Sequence, residues 1–224
     1  IAGSGSNGAV VHYRAIAGAD RKLASNDLLL LDSGGQYHDG TTDITRSIAI
    51  GTPPKGAVAA YSHVLQSHIQ LAMAKFPAGT NGKQLDAIAR APLWAAGLDF
   101  AHGTGHGVGH VLSVHEGPAS ISKRGEVALE AGMVLSNEPG YYQTGDWGIR
   151  IENLIVVTPS KPTGFLEFET ITLCPLDRRL IDKTLLNAGE IDWIDRYHHA
   201  VYEQLHQHLS PMAKSWLEAA CRQL

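Results

Sequence analysis

Cysteine is scarce in this chain: Cys174 and Cys221 are the only two among 224 residues. Two cysteines build no disulfide framework, so the fold rests on a buried core, which a chain of this length can supply. No Asn-x-Ser/Thr sequon occurs, and the two absences together point to a reducing, cytoplasmic setting. Long apolar runs are missing too. The aliphatic stretch Leu28–Leu31 is closed on both sides by Asp27 and Asp32, far short of the ~20 residues a membrane-spanning helix needs. Clustered positive charge is also lacking. Lysine and arginine number 18 against 22 acidic residues, a net charge of −4, and no basic run is long enough to follow a phosphate backbone. Neither nucleic acid nor a membrane is an expected partner. The chain opens on Ile1 with no charged or apolar leader and reads as a piece of a longer protein. A hydrophobic fraction of 44% and a mean hydropathy of −0.08 exclude a disordered chain.

Glycine and histidine are in excess. There are 24 glycines, above the usual share of about 7%, and 12 histidines, with His102, His106, His110 and His115 close together. Glycine lets backbone approach a ligand, and histidine binds metals and carries protons. The pair points to a site rather than a scaffold.

Patterning predicts strands over Ala9–Ile16, Leu28–Leu31 and Ile44–Ile50. A helix follows over Ala57–Phe76, with Val58, Tyr61, Leu65, Ile69 and Met73 at helical spacing. Asn81 and Gln84 have the form of a capping box for a helix that stops at Gly97. His102–His110 is too glycine-rich for a helix and reads as strand or loop. Further strands are expected over Met133–Asn137, Gly148–Val157 and Leu166–Leu173. After Pro175 the spacing of Ile191, Ile194, Tyr197, Val201, Leu205 and Leu209 is helical, and Ser210-Pro211 begins a last helix. The expected architecture is an α+β domain over 1–175 with a helical C-terminal extension over 176–224.

Two glycine patterns carry no nucleotide site. Gly3-Ser-Gly5-Ser-Asn-Gly8 lacks a strand before it and a helix after it and reads as a flexible turn. In the run Gly103, Gly105, Gly107 and Gly109, Val108 stands where the third glycine of the pattern belongs.

The acidic residues say more. Glu138 and Glu152 lie symmetrically about Gly145, so a hairpin there sets them opposite each other. Like charges about 5 Å apart across strands are unfavourable unless a cation or a shared proton lies between them. Two solvated glutamates beside a turn is the alternative, and Pro139-Gly140 could spoil the register. Asp32 ends an apolar strand and Asp43 opens the next, with Gly34, Gly35 and Gly40 letting the chain double back between them. Turn-capping aspartates are the alternative here. Four carboxylates with the glycine-flanked His106 form an oxygen-rich, one-nitrogen donor set, suited to two hard divalent cations. No His-Glu-x-x-His helix is present.

The segments Leu31-Asp-Ser-Gly-Gly-Gln-Tyr37 and Asp39-Gly-Thr-Thr-Asp-Ile-Thr-Arg46 resemble the first metal motif of the cytosolic Xaa-Pro aminopeptidases (aminopeptidase P, within peptidase family M24). His102–Gly109 and Val114–Pro118 resemble that family's histidine motifs, and Ser136–Gly140 and Arg150–Asn153 its glutamate motifs. All occur in the family's order, and the tail with Trp193 and Tyr197-His198 is similar to its C-terminal extension. The resemblance implies the pita-bread fold, here without its first helices and the smaller domains upstream. It implies two divalent metal ions, manganese first with zinc or cobalt as alternatives, held by Asp32, Asp43, His106, Glu138 and Glu152. Asp43 and Glu152 would bridge the ions, Asp32 complete one, and His106 with Glu138 the other. His12, His102, His115 and Arg150 fall on the substrate side.

The implied reaction is hydrolysis of the bond between an N-terminal residue and a penultimate proline, by water activated between the ions. Glu138 would move the proton, and His115 or His102 would serve the developing oxyanion. The implied partners are proline-containing peptides, and a homodimer is the candidate assembly of the full-length protein. His12 could otherwise be a core histidine, and Tyr141 and Tyr142 could line the pocket or pack the core. The helical tail is read as structural or as a dimer surface. A prolidase-type dipeptidase and a catalytically silent peptide-binding module are the rival readings.

Overall fold

The computed structural model of the protein describes residues 1–18 and 21–224. In chain order the strands and helices are β1 (Ala2–Ser4), β2 (Asp27–Tyr37), β3 (Gly40–Ile50), α1 (Ala57–Ala72), β4 (Lys75–Pro77), α2 (Gly82–Ala95), β5 (Gly105–His106) and β6 (Ser120–Ile121). Then come β7 (Val134–Asn137), β8 (Gly140–Gln143), β9 (Trp147–Arg150), β10 (Asn153–Ser160), β11 (Phe165–Thr170), α3 (Ala188–Leu205) and α4 (Pro211–Ala220). One sheet has the order β1-β2-β3 and another β4-β11-β10-β7, while β5 pairs with β6 and β8 with β9. Every strand pair is antiparallel. This is the α+β arrangement expected from the sequence.

Helix α1 organises the core. Tyr61, Leu65 and Ile69 are fully buried, the two aliphatic side chains each worth about 1.5–3 kcal/mol of transfer free energy. They pack with Leu28, Trp147 and Ile149 from the strands and with Leu180, Ile194, Val201 and Leu217 from the C-terminal segment. A second apolar cluster joins Leu71, Phe76, Leu85, Ile121, Leu135 and Phe168. Helix α1 stops at Ala72, four residues before the expected end at Phe76. The residue before a proline is biased to extended backbone, and Phe76, preceding Pro77, pairs with Leu166 in β4 instead. The Asn81–Gln84 capping box, the left-handed stop at Gly97 and the Ser210 cap before Pro211 are all formed. Helix α3 ends at Leu205, so Leu209 falls outside it.

Three expectations about strands are corrected. Ala9–Ile16 is not a strand: Ala2–Ser4 takes the free edge of β2, a 3₁₀ turn follows over Gly5–Ala9, and Val10 and Ile16 are exposed. That 3₁₀ turn is packed rather than a flexible loop, because a Cβ on Gly148 would come within 1.8 Å of the Gly8 carbonyl oxygen. Asp32 and Asp43 do not mark strand ends. Strands β2 and β3 form one long hairpin turning at His38-Asp39, with Gly34 and Gly35 inside β2. Finally, Gly148–Val157 is two strands, broken at Ile151-Glu152 where the chain leaves β8 and takes up β7.

Candidate metal centre

Pairing of Asp32 with Thr45 and of Gly34 with Asp43 sets Asp32, Thr45 and Asp43 on one face of the β2–β3 hairpin. The β8–β9 hairpin turns at Asp146 and the left-handed Gly145 (φ 78°). Gly140 pairs with Arg150 on one side of the break and Asn137 with Asn153 on the other, so Glu138 and Glu152 stand in register, as the sequence predicts. Pro139 does not spoil it: its carbonyl still accepts the Ile151 N–H at 3.2 Å. The two glutamate N–H groups turn outward to other elements, Glu138 to the Thr104 carbonyl at 2.8 Å and Glu152 to the Thr45 carbonyl at 3.1 Å. Those bonds carry the carboxylates over the β2–β3 face.

His106 enters from β5, where close backbone approach requires glycine beside it. A Cβ on Gly105 would lie 2.0 Å from the Ser136 carbonyl oxygen. Ser136 Oγ accepts the His106 N–H at 2.9 Å and donates to Glu138 Oε1 at 3.1 Å. His106 Nε2 then lies 3.3 Å from Glu138 Oε1 and 3.5 Å from Asp43 Oδ2. Donor atoms of Asp43, His106 and Glu152 lie within 4.8 Å of one another.

Electrostatics of the bare site mark it as a place for cations. Burial, and then the charges of Glu138 and Asp43, push Glu152 well above the ordinary carboxyl range. Burial pushes Glu138 up to about 7, against the pull of His106 and Arg150. Burial opposes charge on His106, but the Asp43 hydrogen bond and the Glu138 carboxylate hold it up at about 9. The site thus gathers protons where no cation sits. With His106 Nδ1 set 3.0 Å from the Gly107 carbonyl oxygen, a neutral ring carries its proton there and turns the Nε2 lone pair toward the carboxylates. Lone pairs from oxygen and nitrogen converging on one point fit hard divalent ions.

The remaining expected residues line the same cavity of about 630 Å³, together with Asp32, Asp43, His106, Glu138 and Glu152. His12 lies exposed in a turn at its rim, not in the core. The His115 ring meets His106 edge-on, with centroids 4.2 Å apart. His102 sits with Nδ1 2.7 Å from the Gly103 carbonyl and Nε2 2.8 Å from the Tyr142 hydroxyl. Burial pushes it down to about 4. Its single proton therefore belongs on Nδ1, with Nε2 accepting from Tyr142. Arg150 is committed as well, donating to Asp32 Oδ2 at 2.6 Å, Tyr142 Oη at 2.8 Å and Thr45 Oγ1 at 3.1 Å.

Thr45 and Tyr142 are the site residues that sequence reasoning underrated. Thr45 donates to Glu152 Oε2 at 2.6 Å, and its signal was its place two residues along the strand from Asp43. Tyr142 joins His102 to Arg150 from behind the cavity, packed against the core, and is not itself among the residues that line it. Tyr141 is half-buried and packs edge-on against Trp147.

Residues 1–159 match the model of metallopeptidase family M24, and residues 164–224 match that of the C-terminal region of peptidase M24. A probable Xaa-Pro aminopeptidase P of Laccaria bicolor is 45% identical, over 100% of this chain and 37% of its own length. The crystal structure of an X-prolyl aminopeptidase from Caenorhabditis elegans, described as a cytosolic enzyme with a di-nuclear active site, superposes with a TM-score of 0.95 at 43% identity. It covers 100% of this chain, which spans 38% of that one. An Xaa-Pro dipeptidase from Bacillus anthracis is more distant, with a TM-score of 0.69 at 33% identity over 79% of this chain and 47% of its own. The chain thus spans little more than a third of each of these two aminopeptidases. Its fold is the pita-bread fold of these enzymes. The carboxylate-and-histidine cavity, the fold that builds it and the match over 1–159 agree, and the chain belongs to metallopeptidase family M24.

Proposed function

We propose that the protein hydrolyses the bond between an N-terminal residue and a following proline, using two divalent metal ions held by Asp32, Asp43, His106, Glu138 and Glu152. The observation that carries this reading is the crowding of buried carboxylates around one imidazole, which only cations or protons can relieve. The aminopeptidase relatives support the substrate class. The oxygen-rich donor set supports manganese, with zinc or cobalt as alternatives. Bound ions would lower the pKa of water and polarise the scissile carbonyl.

The protein's own groups do the rest. Glu138, steadied by Ser136 Oγ at 3.1 Å, takes the proton of the attacking water and delivers it to the leaving proline nitrogen. His115, on the loop facing His106, offers its N–H to the developing oxyanion. His102 has no N–H free for that role, since Nδ1 faces Gly103 and Nε2 accepts from Tyr142. Arg150 orients Asp32 and Thr45 rather than binding substrate directly. His12, exposed at the rim, meets the peptide. Proline is selected by a pocket shaped for a ring whose nitrogen carries no hydrogen.

A cytoplasmic place of work belongs to the same proposal, as does a division of the chain near 175 into a catalytic unit and a helical extension. Among the described residues no helix is long and apolar enough to cross a membrane. The test is turnover of an Xaa-Pro tripeptide, an Xaa-Pro dipeptide and an Xaa-Ala tripeptide with and without manganese. Metal-dependent cleavage of the first alone is expected. Preference for the dipeptide would make it a prolidase, and no cleavage by a metal-loaded protein would leave a peptide-binding module.

A further inference from the structure

Behind the two glutamates lies a buried polar network that none of the roles above uses. Asn137 and Asn153 are the chain neighbours of Glu138 and Glu152 and pair with each other in the β7–β10 ladder. Both are fully buried and turned from the cavity toward α1. Asn137 Nδ2 donates to the His68 carbonyl at 2.9 Å, and Asn153 Nδ2 lies 3.1 Å from His68 Nε2. Burial and the nearby Arg46 charge push His68 down to about 3, so its ring is neutral and Nε2 accepts. Asn153 Oδ1 in turn accepts from Arg46 Nη2 at 2.7 Å.

Arg46 is the hub. Its Nη1 bridges the two segments that present the metal-site acids, donating to the Glu152 carbonyl at 2.7 Å and the Thr45 carbonyl at 2.9 Å. The bridging guanidinium ties the strand that presents Asp43 to the segment that presents Glu152. Its other nitrogens reach out of the site. Nε donates to the Pro175 carbonyl at 3.2 Å, and Nη2 lies 2.8 Å from the Cys174 carbonyl and 2.9 Å from the Tyr197 hydroxyl. Tyr197 belongs to α3, donates to the same Cys174 carbonyl at 2.8 Å, and stacks on Trp193 with centroids 5.2 Å apart. A planar fork matched to fixed oxygens on several elements admits one orientation.

We propose that Tyr197 is a positioning residue for the metal centre. Through Arg46 it holds the backbone of Thr45 and Glu152, and with it the Glu152 carboxylate. The helices after Pro175 are then a working part of the site as well as packing. This rests on the metal-centre reading above.

The test is a manganese titration by calorimetry on the full chain and its variants, with thermal unfolding measured alongside. Tyr197→Phe keeps the ring and its stacking and removes only the hydroxyl. His198→Leu is the matched control. It removes another buried hydrogen bond of α3, from the Leu176 N–H to His198 Nε2 at 3.1 Å, and Arg46 does not bond to that ring. Tyr197→Phe should weaken manganese binding about tenfold, and activity lost at limiting manganese should return at saturation. His198→Leu should lower the melting temperature and leave manganese affinity within about twofold, far short of the tenfold effect that loss of an outer-shell partner brings. Wild-type affinity in Tyr197→Phe, or an equal loss in His198→Leu, overturns the inference. If Tyr197→Phe does not fold, Arg46→Lys, which keeps the charge but not the fork, tests the link through which Tyr197 must act, and wild-type manganese affinity in it overturns the inference. A folded wild-type chain that binds no ion overturns the metal-centre reading itself.

Discussion

Glu138 and Glu152 face each other at the interruption between two antiparallel ladders that share one register. Asn137 pairs with Asn153 before it and Gly140 with Arg150 after it. The ladder opens only where the two acids sit, and their N–H groups turn to Thr104 and Thr45. Opposed carboxylates are thereby built into the sheet rather than left to loops.

Glu138 is the proton carrier of the proposed mechanism. Glu138→Gln should lower turnover of an Xaa-Pro tripeptide by roughly 10²–10⁴ while manganese still binds, since an amide oxygen can hold an ion but cannot take a proton. Steady-state kinetics beside a metal titration checks this. If the ions are lost as well, holding them is the main task of Glu138.

Thr45 joins two charged groups through one hydroxyl, donating to Glu152 at 2.6 Å and accepting from Arg150 at 3.1 Å. Thr45→Val keeps the shape and leaves both partners short of a hydrogen bond. It should cost about 1–3 kcal/mol of stability and weaken manganese binding about tenfold. Denaturant unfolding and calorimetry measure the two effects separately.

Without metal, stability should fall as the pH rises from about 6.5 toward 9. In this window folded His106, held up at about 9, keeps a proton that the unfolded chain releases near 6.5. Folded Glu138, pushed up to about 7 from 4.5, acts in the same direction but mainly below pH 7, and Glu152, also pushed up, adds to it. The folded state binds more protons, so alkaline pH favours unfolding, by a total on the order of 1–3 kcal/mol. His68, His102 and His198 are pushed below 6.5 and act in the opposite sense, but only at more acid pH. Thermal melts of chelator-treated protein across this range should slope downward, and manganese should remove the slope. A flat metal-free profile would contradict the crowding of these groups.

Gly105 lets β5 lie against β7 with a hypothetical Cβ only 2.0 Å from the Ser136 carbonyl oxygen. Gly105→Ala must separate the strands, costing about 1–3 kcal/mol, and it moves His106 away from Glu138. Loss of manganese affinity beyond the loss of stability is the expected result. An alanine variant that binds manganese normally would show that the His106 position tolerates the shift.

Features that depend on a few neighbouring residues were legible in the chain. The Asn81 capping box, the Gly97 stop, the Ser210-Pro211 start and the hairpin at Gly145 all formed. So did the opposition of Glu138 to Glu152, because hairpin register follows from turn position alone. The metal-site candidates were legible as residue types and motifs, and they meet in one cavity.

Only the tertiary structure decided which element each stretch would join. Ala9–Ile16 has strand composition, but Ala2–Ser4 holds the edge of β2; edge pairing is a competition between segments that no local pattern resolves. Phe76 left its helix because Leu166, far along the chain, offered a partner beside Pro77. Thr45, Tyr142 and Arg46 took their roles through hydrogen bonds to residues as distant as Glu152, His102 and Tyr197. A hydroxyl or a guanidinium carries no mark in the sequence of which buried oxygen it will meet. Composition and spacing determined the kind of chemistry this chain can hold, while packing determined which groups hold it still.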